Sequence, residues 1–332
     1  MANIYLTEQG STLRKTGDRL IVQKDDEVLL DVQCSKISAV LIFGNVQFTT
    51  QAVHELFEHG IELALLTRTG RLIGQLTSPA TKNIELRIAQ FRRHGDEKFR
   101  FDFSKAVISG KMTNCLNLVK SFSNNHPEIS LAGEATGIEA SIKNIDSSGS
   151  VAVLRGIEGT AAKTYFRGFG KMILGGFTFE GRKKHPSTDP VNALLSFGYT
   201  LIFNEISSLL DGLGYDPYLG YFHEVEYGRA SLACDIQEEF RASVDRFTLY
   251  FINNRILNGD DFYKNPKDGS VYLQRDAMKK YFAEYEKFIS REFKHPDTGE
   301  NTTLRKCFRI QAEKLAAFIK GEKDYMPFKL ET

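Results

Sequence analysis

Along the first eighty residues, apolar and polar positions change places in short runs: Asn3–Thr7, Thr12–Thr16, Arg19–Gln23, Glu27–Gln33, Lys36–Phe43, Ile61–Thr67 and Leu72–Thr77. A side-chain period near two puts the apolar groups of each run on one face of a strand. Gly10, Gly17, the Asp25 and Asp26 pair, Gly44 and Gly70 fall between the runs and predict turns. One helix interrupts them. Val53, Leu56 and Phe57 recur at helical spacing, Thr49 or Thr50 can cap the start, and Gly60 can close the end.

From Asn83 onward the period lengthens to 3.6 residues. The segments are Ile84–Arg93, Lys105–Phe122, Val151–Phe166, Val191–Leu210, Ser231–Asn254, Asp276–Phe293 and Thr302–Lys320, with Pro and Gly mostly between them. The switch follows Ser78, Pro79 and Ala80, which predicts a domain junction there. The expected fold is α+β: a small β-rich domain over 1–80, then a larger all-α-helical domain over 81–332.

The chain has 332 residues, 42% of them hydrophobic, enough to build real cores. Mean hydropathy is −0.29, and no run of about 18 uncharged apolar residues stands out, so no membrane span is expected. The first residues lack a basic stretch leading into an apolar one, which predicts a cytoplasmic protein. Cys34, Cys115, Cys234 and Cys307 are scattered with no C-x-x-C pair, and are expected to be buried reduced thiols. Net charge is only +1. Residues 1–80 carry 7 Lys/Arg against 9 Asp/Glu, so any phosphate-binding surface is expected in the rest of the chain. A G-x-x-x-x-G-K-[ST] loop is absent, and nucleotide hydrolysis has no support.

Three positions in the helical part can carry chemistry. Glu158 lies among Gly156, Gly159, Ala161 and Ala162, small residues that let a backbone or ligand come close. It could equally be a surface carboxylate paired with Arg155 or Lys163. His223 ends a Gly/Pro-bearing loop that turns at Asp216 and Pro217; it could be catalytic, or a half-buried ring satisfied by a carbonyl. Asp235 and Glu238 stand at i and i+3 of a predicted helix, so their like charges call for a cation, either Arg241 or a metal. The neighbouring Glu239 could be the solvated member of the run. Two carboxylates and an imidazole suit Mg²⁺ or Mn²⁺ better than structural zinc. A basic segment, Arg167, Lys171, Arg182, Lys183, Lys184 and His185, opposed only by Glu180, offers a surface for a phosphate backbone. Tyr165, Tyr199 and Tyr221 could stack on bases or pack a core.

Longer blocks carry a resemblance. Arg182, Pro186, Asp189 through Ser196, and Tyr199 resemble the signature R-x-x-x-P-x-x-D-P-V-N-A-L-L-S-x-x-Y of the CRISPR-associated integrase family of the spacer-acquisition module. The stretch from Gly214 through His223, continuing from Gly228 to Arg246, is similar to a second block, and Glu158 with Ala161, Ala162 and Tyr165 to a third. Ile42–Thr49 and Gly60–Gly70 resemble the family's β-domain. The resemblance implies a metal-dependent endonuclease/integrase that inserts captured DNA fragments into a CRISPR repeat array by attack of a 3′-hydroxyl on a phosphodiester. It implies Glu158, His223 and Glu238 as catalytic metal ligands, with Asp235 behind them or reaching the metal through water. It also implies a homodimer joined through the β-domains and a small ferredoxin-like partner protein. DNA partners would be the captured duplex (the protospacer) and the repeat array. Arg182, Lys183, Lys184, Arg229 and Arg241 are the expected phosphate contacts, while Tyr165, Asn192, Ser196 and Tyr199 could line the site or pack it. Two other functions stay open: a metal-dependent nuclease acting on branched or free DNA, and a noncatalytic DNA-binding scaffold.

Overall fold

The structure, a computed structural model, describes residues 2–76, 83–183 and 186–330. The chain divides into two compact units, Met1–Ala80 with Leu273–Lys287, and Thr81–Tyr272 with Phe288–Thr332. The predicted junction at Ser78 to Ala80 lies outside the described residues.

In the first unit, strands β1 (Ala2–Leu6), β2 (Thr12–Thr16), β3 (Arg19–Lys24), β4 (Glu27–Gln33), β5 (Ile37–Phe43), β6 (Gln47–Phe48), β7 (Glu62–Leu66) and β8 (Leu72–Leu76) form two four-stranded sheets. One has the order β1-β5-β7-β8, parallel until the β7–β8 hairpin; the other, β4-β3-β2-β6, is antiparallel except at its β2–β6 end. Helix α1 (Thr50–Glu58) starts at Thr49, whose hydroxyl accepts from the Ala52 amide at 3.2 Å, so Thr49 rather than Thr50 is the cap. Leu13, Leu20, Val40 and Leu63, inward members of the alternating runs, build the core together with Leu56 from the inner face of α1.

Nine helices of the described residues follow: α2 (Ile84–His94), α3 (Glu97–Asn125), α4 (Ala132–Asp146), α5 (Val151–Lys171), α6 (Pro190–Leu213), α7 (Ser231–Glu238), α8 (Arg241–Asn253), α9 (Arg275–Ser290) and α10 (Leu304–Lys320). Side chains of Asp96, Ser150, Asp189 and Thr303 cap α3, α5, α6 and α10. Helix α3 packs against α2, α4, α5, α7 and α8, and so forms the axis of the second unit.

Several expectations are corrected. The second domain is neither all-helical nor continuous. Two short strand pairs, β9 (Phe262–Lys264) with β10 (Val271–Leu273) and β11 (Glu292–Lys294) with β12 (Asn301–Thr303), lie among its helices. Most of α9 belongs to the first unit, because its aromatic face is completed there. Phe282 stacks on Tyr5 at 4.2 Å between ring centroids, and the Tyr5 hydroxyl donates to Glu286 at 2.6 Å. Helix α4 has no counterpart in the predicted set, and the expected helix Ser231–Asn254 breaks at Glu239 and Phe240. Glu239, which could have been the solvated member of its run, is fully buried and accepts from the Phe328 amide, Gln311 and Tyr325. Helix α6 is long and apolar enough to cross a membrane, yet 67% of that apolar stretch is buried inside the fold, as a core helix would be.

Candidate active site

A cleft of about 630 Å³ in the second unit gathers side chains from α3, α5, α6, α7, α8 and the loop before α7. Glu158 reaches it from the middle of α5, Glu238 from the last residue of α7, and His223 from the loop. The small residues near Glu158 play a different part from the one expected. A Cβ added at Gly156 or Gly159 would meet nothing within 4 Å, so no backbone crosses there, whereas Ala161 and Ala162 line the cleft.

Asp235 builds the His223 loop. Its carboxylate is fully buried and accepts from the amides of Tyr221 (2.6 Å), Phe222 (3.0 Å) and His223 (2.9 Å). It also lies 2.7 Å from His223 Nδ1. An ionised carboxylate can only accept, so in the neutral ring Nδ1 carries the proton and Nε2 keeps its lone pair. Nε2 lies 4.0 Å from Glu238 Oε1, on the cleft side. Gly220 makes this cradle possible. A Cβ there would sit 2.7 Å from the Ser231 carbonyl carbon and 2.9 Å from Asp235 Oδ2.

The carboxylates are already held by cations. Lys111 of α3, which the sequence reading did not single out, contacts Glu158 Oε1 and lies 2.7 Å from Glu238 Oε2. Arg241 Nε lies 2.8 Å from Glu238 Oε1. Glu158 therefore pairs with neither Arg155, which holds Glu224, nor Lys163, and Arg241 proves to be one answer to the charge of Glu238. Burial alone would push the Glu238 carboxyl up, but Arg241, Lys111 and His223 outweigh it and hold the group well below the ordinary carboxylate range. Burial would likewise lower the Lys111 ammonium, and Glu238 and Glu158 overturn that, raising it above a free lysine. Glu238 Oε2 is buried yet accepts no well-angled hydrogen bond, so it is held there by charge. Two ionised oxygen donors, one with an unspent lone pair, and a ring nitrogen turned the same way fit a hard divalent cation of the Mg²⁺ or Mn²⁺ class.

Behind them, Asp245 accepts from the hydroxyls of Tyr165 (2.6 Å) and Tyr199, while Arg241 and Arg182 stand over the Tyr199 ring at 4.6 and 5.3 Å. Burial raises the Asp245 carboxyl to about 6, with the two hydroxyls and the two guanidinium groups opposing it. Tyr165 and Tyr199 are thus buried supports with their hydroxyls engaged, not stacking surfaces. Asn192 is fully buried, accepting from Arg182 and donating to Asp189 and the Gly181 carbonyl; Ser196 accepts from Arg182. These polar residues of the signature tie the segment before α6 to its first turns. Tyr221 is buried as well.

The positive surface is smaller than the sequence suggested. Arg167 and Lys171 pair with Glu134 of α4, Lys183 with Glu180, and Arg229, which does not line the cleft, with Glu226. Lys184 and His185 lie outside the described residues. Lys163, Arg167 and Arg182 line the cleft wall, together with Lys111 and Arg241, which the cleft's own carboxylates hold. Asp245, like Lys111, was given no role from sequence. A lysine among the buried Val107, Ile108, Met112 and Cys115 was the available signal, since a buried cation implies anions from elsewhere in the fold.

The cysteines are free; Cys34, Cys115 and Cys307 are buried and Cys234 is half-buried. In the first unit Cys34, Glu55 and His59 bring donor atoms within 4.8 Å of one another, with Glu55 paired to Lys15.

The family model described as CRISPR associated protein Cas1 matches residues 4–287. The CRISPR-associated endonuclease Cas1 1 of Chlorobaculum tepidum is 32% identical, over 98% of this chain and 97% of that protein. The CRISPR-associated exonuclease Cas4/endonuclease Cas1 fusion of Geobacter sulfurreducens is 30% identical over 96% of this chain, which spans only 58% of the fusion. Among solved structures, a casposase bound to integration product is similar with a TM-score of 0.88 at 22% identity, covering 99% of this chain and 93% of that one. A Cas6-RT-Cas1–Cas2 complex is similar with a TM-score of 0.83 at 24% identity, covering 99% of this chain and 36% of that one.

Proposed function

The chain belongs to the CRISPR-associated Cas1 family, and from that premise we propose that it is a metal-dependent DNA endonuclease/integrase with Glu158, His223 and Glu238 as its metal ligands. One observation carries the reading: three residues far apart in sequence turn two ionised carboxylates and an imidazole lone pair into one cleft. The reaction joins the 3′-oxygen of a captured DNA duplex to the phosphorus of a phosphodiester at the repeat boundary and breaks that phosphorus's bond to the repeat strand's 3′-oxygen, which leaves as a new 3′-hydroxyl, the attacking hydroxyl's proton passing to it through solvent. A bound Mg²⁺ or Mn²⁺ would supply Lewis-acid polarisation of the scissile phosphate, worth several kcal/mol, roughly.

The rest is work for the protein's own side chains. Asp235 fixes the His223 tautomer and ring plane, the role a carboxylate behind a ligating histidine serves. Arg241 and Lys111 keep Glu238 ionised at any pH near neutrality. Arg182 and Arg241, braced on Tyr199, place fixed positive charge on the wall where a phosphodiester would lie. No covalent protein intermediate is required, because the attacking group is on the DNA. The casposase neighbour is described as bound to integration product, which favours strand transfer, whereas the Chlorobaculum relative bears the name endonuclease, which favours water as the attacking group. The complex with Cas2 supports a small partner protein of that kind here, and the β-rich unit is the expected homodimer surface.

Half-site integration of a 3′-hydroxyl duplex into a repeat-bearing plasmid separates these readings. Joined product should require Mg²⁺ or Mn²⁺ and a free 3′-hydroxyl, and should vanish in Glu158→Gln and His223→Ala while DNA binding persists. Cleavage without joining would select the nuclease, and metal-independent product or full activity in both variants would refute the metal centre.

A further inference from the structure

We propose that Lys111 is the resident cation of the metal centre, a positioning residue that holds Glu158 and Glu238 together until a divalent ion displaces its ammonium toward the substrate phosphate. The inference rests on the metal-ligand reading above and adds a residue and an exchange to it.

The charge count motivates it. Glu158 and Glu238 bring two negative charges to the cleft, and Lys111 and Arg241 bring two positive ones, so the cluster is neutral as it stands. A buried carboxylate, Glu238, and a half-buried one, Glu158, on different helices would otherwise repel across a region of lowered dielectric. A divalent ion bound by the same oxygens would leave an excess of two positive charges, and one resident cation must then give way.

The structure distinguishes which one is free to go. Arg241 stacks 4.6 Å over Tyr199, reaches Gln237 Oε1 at 3.4 Å and starts α8, so its planar group is held from several sides. Among the described residues no ring stacks on Lys111, and its partners are the two carboxylates. Its ammonium sits on a flexible four-carbon stem with three rotatable donors. It also lines the cleft, so a displaced ammonium stays in the space that a phosphodiester would enter. A cation leaving carboxylates for a phosphate oxygen keeps its charge and changes only its partner.

The test uses the full chain without DNA. Mn²⁺ is titrated into wild type, Lys111→Met, Lys111→Gln and Glu158→Gln, with free Mn²⁺ read by electron paramagnetic resonance and melting temperature read with EDTA and with Mn²⁺. Both Lys111 variants should melt lower than wild type in EDTA, recover with Mn²⁺, and bind Mn²⁺ at least tenfold more tightly. At saturating Mn²⁺ they should still join DNA poorly, with Lys111→Arg partly restoring the rate. Equal or weaker Mn²⁺ binding by both Lys111→Met and Lys111→Gln would overturn the role of Lys111 alone. If wild type and both Lys111 variants all bound no more Mn²⁺ than Glu158→Gln, the metal centre would fall and this inference with it.

Discussion

Replacing Asp235 with Asn changes one oxygen into an amide nitrogen and leaves the volume nearly untouched. The native carboxylate receives four donors: Tyr221 and Phe222 amides on Oδ2, and the His223 amide and Nδ1 on Oδ1. Whichever way the amide is placed, its NH₂ faces two donors, and the charge that strengthened all four bonds is gone. Two lost charge-assisted bonds at roughly 1.5–3 kcal/mol each give about 3–6 kcal/mol of destabilisation, concentrated in the 220–223 loop. Gly220 leaves no slack for a rearrangement, because the Asp235 side chain already fills the space beside it. The released ring loses its fixed tautomer, and metal affinity should fall about 10–100-fold, the usual effect of removing such a support. Urea denaturation gives the stability, long-range ¹H–¹⁵N NMR of the imidazole gives the tautomer, and Mn²⁺ titration gives the affinity. Unchanged stability together with an unchanged Nδ1–H tautomer would refute the argument that Asp235 builds this loop.

Further outcomes follow from the same geometry. Asp245 has a folded-state value near 6, above its unfolded value of about 3.9, so the contribution of its protonated form is complete below pH 4 and is lost as pH rises through 6. The stability of wild type relative to Asp245→Asn should therefore drop by about 2 kcal/mol between pH 4 and pH 7; parallel pH profiles would exclude this assignment. Gly220→Ala forces a methyl into contacts of 2.7–2.9 Å with Ser231 and Asp235 and should cost about 1–3 kcal/mol, measured as a lowered melting temperature. Glu134→Gln weakens the ties to Arg167 and Lys171 and frees charge on α5, so DNA affinity should rise slightly and its salt dependence steepen. An unchanged salt slope would count against that surface touching DNA.

How far the sequence carried can be seen residue by residue. The alternation that makes β1 to β5, β7 and β8 is local, as is the cap at Thr49, and each was legible because strand and helix periods are imposed by the backbone itself. Glu158, His223 and Glu238 could be named only because long blocks of residues resembled a known family; taken singly, each had an ordinary structural explanation. Helix α4 escaped because its apolar positions, Ile138 and Ile145 among Gly133, Glu134 and Gly137, make a weak stripe. Its Glu134 then neutralised two residues of the expected basic surface.

Local chemistry by itself determined the elements and the inventory of acids, bases and cations. Only the tertiary structure decided which charges meet: that Lys111 enters between Glu158 and Glu238, that Glu239 turns into the interior while Glu238 faces the cleft, and that Leu273–Lys287 returns to the first unit. The reason is range. Backbone periodicity acts over a few residues, whereas pairing a buried charge depends on which helices pack together, and here the partners lie 47 positions apart or more.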